Sequence, residues 1–90
     1  MFRIERREFD RQRWISLSGR LDRESVIEAR RLVGVEDPAV GIDAGELRFI
    51  DESGIGLLAE WVTEGRKLLR LSPYAGMRLD DRLRGGPESR

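Results

Sequence analysis

The stretch Leu47-Arg48-Phe49-Ile50-Asp51-Glu52-Ser53-Gly54-Ile55-Gly56-Leu57-Leu58 changes its hydrophobic period midway, and that change sets the fold. Up to Ile50 the chain reads as the end of a buried strand, with Leu47, Phe49 and Ile50 as a short apolar run. From Asp51 onward the spacing is helical: Ile55, Leu58, Ala59 and Val62 form one apolar stripe, and Gly65 stands where such a helix stops. Asp51 can cap this helix by accepting bonds from its first free N–H groups. Glu52, in the first turn, is favoured by the helix dipole. Gly54 and Gly56 carry no side chain, which lets the helix start approach another backbone or leaves room for a partner.

Working outward, Phe2 to Phe9 reads as a strand with Phe2 and Ile4 on one face and Arg3, Glu5 and Arg7 on the other. After the polar link Asp10–Arg13, Trp14 to Leu21 alternates again. Ile15, Leu17, Gly19 and Leu21 point one way, and Trp14, Ser16 and Ser18 the other, so an antiparallel hairpin is expected. Asp22 and Ser25 both offer an N-cap to a first helix, with Ser25 and Glu28 in capping-box spacing. Its stripe is Val26, Ala29 and Val33, and it stops near Gly34. The turn Glu36-Asp37-Pro38 leads into a strand from Ala39 to Ala44, which resumes after Gly45–Glu46. A last strand is expected over Lys67–Leu71, and Pro73 opens a third helix over Tyr74–Leu83.

The expected order is β-β-α-β-α-β-α. This is an α/β domain with a small mixed sheet of about four strands, covered by about three helices that can lie on one face. Residues 1–84 make one domain, and 85–90, opening on Gly85-Gly86-Pro87, read as a flexible C-terminal tail.

Composition narrows the function. Ninety residues suffice for one core, and 39% hydrophobic content is too much for a disordered chain. The 17 basic and 17 acidic residues cancel, whereas a nucleic-acid module needs excess positive charge. The N-terminal arginines (Arg3, Arg6, Arg7, Arg11 and Arg13) are interleaved with Glu5, Glu8 and Asp10, as on a solvated strand face. There is no Cys and no His, which removes thiolate chemistry, zinc–thiolate sites and the commonest general base together. The longest uncharged apolar stretch, Ser53 to Ala59, is far too short to span a membrane, and nothing resembles a signal peptide. A cytoplasmic location is expected. Asp51 and Glu52 are adjacent, so their carboxylates diverge. Asp80–Asp81 reads as a solvated pair, and Gly54-x-Gly56 lacks the lysine of a phosphate loop. No catalytic residue, metal or cofactor is expected.

Leu57 and Trp61 form an i,i+4 pair turned away from the stripe, beside Glu60 and Glu64. Two large apolar groups there mean either a wider core or a contact surface, and a contact surface is expected. Trp14, Phe49 and Tyr74 read as packing.

The strand–Asp51-Glu52-Ser53-Gly54–helix element resembles that of the STAS domain, the fold of bacterial anti-sigma factor antagonists. The resemblance extends to Ser16–Asp22, ending Gly19-Arg20-Leu21-Asp22, to Ile42-Asp43 and to Ser72-Pro73, and so covers most of residues 1–83. It implies a non-enzymatic regulatory domain whose partner is an anti-sigma factor of the serine-kinase type. The other partner it implies is a membrane transport complex, with this chain as a subunit or adaptor. Readings of a different class are a small homo-oligomeric scaffold, such as a homodimer, and a nucleotide or lipid binder. The implied binding face is Asp51, Glu52, Ser53, Gly54 and Gly56, with Asp22 before the first helix and Leu57 and Trp61 alongside.

One departure bears on regulation. The family's phosphorylated Ser or Thr falls at Glu52. Glutamate carries one negative charge where phosphoserine carries about −1.5 to −2. A fixed, weaker imitation of the phosphorylated state is therefore expected, without switching at this position. Ser53 reads as a helix-start residue, not a phosphosite. The family's further strand and helix do not follow the third helix here, so the surface they form is expected to be missing or supplied in trans.

Overall fold

In the computed structural model, which describes residues 1–85, the hairpin is closed by Asp10 and Arg11, both at positive φ (56° and 65°). That pair makes the twist of a two-residue turn match the twist of its strands. It joins β1 (Phe2–Phe9) to β2 (Gln12–Leu21), so β2 begins earlier than the alternation from Trp14 suggests. Then follow α1 (Arg23–Gly34), β3 (Gly41–Ile50), α2 (Glu52–Thr63), β4 (Leu68–Leu69) and α3 (Pro73–Leu83). The order is the one expected, β-β-α-β-α-β-α. The expected tail over 85–90 lies, apart from Gly85, outside the described residues.

The strands form one sheet in the order β1-β2-β3-β4, antiparallel between β1 and β2 and parallel thereafter. β3 runs unbroken through Gly45–Glu46, where the Asp43 carboxylate accepts the Gly45 N–H at 2.9 Å. The β2–β3 register slips twice, between Ser16 and Ser18 and between Gly19 and Arg20. β4 is shorter than expected because Arg70 turns to a φ of 61° and leaves the strand.

Ile15, Leu17, Leu21 and Ile42 on one sheet face are buried together with Val26, Ala29 and Val33 of α1, Leu57, Leu58 and Trp61 of α2 and Leu79 of α3. The helices thus occupy that face. Two of the expected contact residues belong to this core: Leu57 is 0% and Trp61 3% exposed. Helix α2 lies on the sheet with α1 on one flank and α3 on the other, so its buried arc is wider than a single stripe. Leu57 and Trp61 therefore form no docking surface.

The chain between α2 and β4 holds a buried arginine. Arg66 donates to four backbone carbonyls, those of Val33, Glu36, Asp37 and Val40, at 2.9–3.2 Å. It satisfies the open carbonyl end of α1 and ties it to the start of β3.

Candidate functional site

β2 and β3 are parallel neighbours, and Leu21 and Ile50 end them side by side. Each strand runs straight into a helix through an aspartate. Asp22 caps α1: its carboxylate accepts the Ser25 N–H at 3.1 Å, and the Ser25 hydroxyl accepts the Asp22 N–H at 2.9 Å. The reciprocal box is therefore Asp22–Ser25, one turn before the Ser25–Glu28 spacing. The Ser25 N–H, above all, holds the Asp22 carboxyl below its ordinary range.

Asp51 does two things at once. Its Oδ1 accepts the Gly54 N–H of α2 at 3.0 Å, and its Oδ2 accepts the Arg23 N–H of α1 at 3.1 Å. One carboxylate thereby stitches two helix starts together at the carboxyl ends of adjacent parallel strands. In open α/β sheets ligands bind beyond the carboxyl ends of the strands.

Gly54 lies beneath the stitch and is buried. A Cβ there would stand 2.5 Å from the Leu21 carbonyl oxygen, so the glycine serves close packing of α2 against β2 and offers nothing to a partner. Glu52 is exposed, with Ser53 half-buried beside it. The Glu52 carboxylate pairs with Arg78 and, at 3.8 Å, with Arg82, one turn apart on α3. Arg82 also lies across Gly56, where a Cβ would stand 2.8 Å from its Nη2. Gly56 therefore makes room for a side chain of the same chain.

On the far side of the helix starts, the Arg20 guanidinium sits 4.1 Å from the centre of the Phe49 ring, and its Nε reaches Asp22 Oδ2 at 3.5 Å. The rim thus gathers Asp22, Asp51, Glu52 and Ser53, with Arg20 and Phe49 completing one edge and Arg78 and Arg82 the other. Sequence reading missed these last four. The Arg78–Arg82 spacing on one helix face was visible, but which helix it met was not. The Arg20–Phe49 pairing depends on a register slip that no local pattern announces.

The site is a shallow polar rim without an enclosed pocket or a nucleophile–base pair. Among the described residues no cluster of three acidic side chains is placed to hold a metal ion. Among them, too, no helix is long and apolar enough to cross a membrane.

No family model matches the chain, and no curated protein matches it by sequence. Among solved structures it resembles the anti-sigma factor antagonist SpoIIAA in its unphosphorylated form, with a TM-score of 0.65 and 27% identity, over 90% of this chain and 83% of that one. The mixed four-stranded sheet with three helices is the STAS fold.

Proposed function

We propose that this STAS-fold chain is a non-enzymatic, protein-binding regulator of the anti-sigma factor antagonist kind, acting in the cytoplasm on an anti-sigma factor of the serine-kinase type. The observation that carries the reading is the stitch at Asp51, which presents Asp22, Glu52 and Ser53 on one rim at the ends of β2 and β3. A rim of capped helix starts suits recognition by another protein better than it suits chemistry.

Glu52 makes this a regulator without a phosphorylation switch at that position. Its carboxylate is offset by Arg78 and Arg82, so the rim carries less negative charge than a phosphoserine would bring. The domain then binds its partner at a constant, reduced strength.

The test is affinity capture from the source cell with the wild type and Glu52→Ser, followed by calorimetric titration of the captured protein. A serine-kinase anti-sigma factor, bound several-fold more tightly by Glu52→Ser, is the expected outcome. Equal recovery of membrane-transporter subunits by both forms would replace this reading with that of an assembly subunit. A phosphate found on native Ser53 by mass spectrometry would overturn the unswitched part.

A further inference from the structure

The outer edge of β1 is a free strand edge among the described residues, and its register fixes which backbone groups it offers. The Met1 carbonyl accepts the Arg20 N–H at 2.9 Å, and Phe9 pairs with Gln12 at the turn. The odd-numbered residues of β1 therefore aim their backbone groups at β2. Phe2, Ile4, Arg6 and Glu8 aim theirs outward. An added antiparallel strand must match outward groups with outward groups, which halves the registers open to a second copy of β1.

Two of the remaining registers overlap nearly the whole strand. Centring the pair on Glu5 sets Glu5 against Glu5 and Arg3 against Arg7 twice, so like charges meet throughout one face. Centring it on Arg6 sets Glu5 against Arg7 twice on that same face. It also brings Arg3 twice against Phe9, an aromatic left 73% exposed in the single chain. An arginine stem and guanidinium can cover such a ring. The two Arg6 side chains that meet at the centre do not face each other as bare charges. Each is held by Glu36, with Nε to Oε2 at 2.8 Å.

Within one chain Glu5 and Arg7 already pair along the strand at 2.6 Å. Across a two-fold axis at Arg6 the same groups can exchange partners and keep their charges compensated. Strand edges are commonly guarded by charged side chains, lysines above all, that disfavour a second strand. This edge instead alternates in sign, and it does so in the pattern that complements itself.

We infer that β1 pairs with β1 of a second copy of this chain, antiparallel and centred on Arg6, so that one sheet runs through both copies with the helices on the same side. The rim at Asp51 plays no part in this surface, so the inference stands apart from the proposed partner.

Sedimentation velocity of the whole chain, from micromolar to millimolar at low salt, tests it with four proteins. The wild type should dimerise. Arg7→Glu and Glu5→Arg should each weaken the dimer roughly tenfold or more, because two opposite-charge pairs become like-charge pairs. The double variant Glu5→Arg/Arg7→Glu should recover it, since the pairs are restored with their signs exchanged. All the changed side chains are solvent-facing, and circular dichroism should be unaltered. A wild type that stays monomeric across the range overturns the inference, and so does a dimer indifferent to the single changes or not restored by the double one.

Discussion

On the helix side of the sheet, Ile15, Leu17, Ile42 and Ala44 are buried by a second layer of structure, while on the opposite side, away from the helices, Ser16 and Asp43 are buried almost as deeply, at 3% and 8% exposure. There Arg70 lies over Asp43, with Nε and Nη2 on its two carboxylate oxygens at 3.1 and 2.7 Å. The Trp14 ring rests on Gly41, where a Cβ would stand 2.4 Å from it. Arg7 reaches along the strand to Glu5. The two faces are thus protected by different physics. Apolar burial against helices gains from every square ångström removed from water. A face covered by its own long polar side chains gains only what a few charge-assisted bonds return. Changes on the helix side should therefore cost several-fold more than changes on the open side.

The contrast is broken most severely at Trp61. With α1 and α3 flanking α2, Trp61→Ala leaves a large void in the core and should cost about 3–5 kcal/mol, a large part of the roughly 5–15 kcal/mol that holds a domain of this size together. Urea unfolding followed by circular dichroism measures it. A loss below about 1 kcal/mol, as expected of a surface residue, would mean that α2 is not enclosed on its flanks.

Arg66 is the polar exception on the helix side, and it sharpens the comparison. Its guanidinium is the partner of four carbonyls at the end of α1 and the approach to β3. Arg66→Met removes the donors and keeps much of the stem, and should cost about 2–4 kcal/mol, mainly from the Glu36 and Val40 carbonyls that lose this donor, since those of Val33 and Asp37 also accept a backbone N–H. Arg66→Lys should recover less than half of that, because an ammonium cannot span the same fork of acceptors. Equal stability of Lys and Arg at this position would show that charge matters there and geometry does not.

How much of this was legible in the sequence follows the range of each interaction. The start of α2 was readable because capping is local: Asp51 and Gly54 are three residues apart and form the bond their identities suggest. The order of elements was readable from period alone. The burial of Leu57 and Trp61 was not, since a helical wheel gives the angle of a side chain and says nothing about how many neighbours the helix will have. Arg66, following Gly65, has the look of a solvated loop residue, and its role appears only when α1 and β3 are brought beside it. Glu52 meets Arg78 and Arg82 through the docking of α3, and Arg20 meets Phe49 through a slipped register. All these pairings are long-range in sequence, and no short motif encodes them.

The smallest expected effect lies on the open face, at the pair of Asp43 and Arg70. The hydrogen bond from Arg70, first, and the Gly45 N–H hold the Asp43 carboxyl below its ordinary range, while burial pushes the other way. A carboxyl that resists protonation more in the folded than in the unfolded chain stabilises the fold fully above the ordinary aspartate range. That contribution is lost as pH falls through the lowered, folded value. Arg70 is half exposed, so water screens the pair and the whole contribution is on the order of 1 kcal/mol. Asp43→Asn should therefore be slightly less stable than the wild type at neutral pH, with the gap closing as the solution is acidified below about pH 4. Thermal unfolding of both proteins from neutral to acid pH reads this out. Curves that fall in parallel, with the gap unchanged, would mean that the ion pair adds nothing and that the packing of Trp14 on Gly41 protects this face.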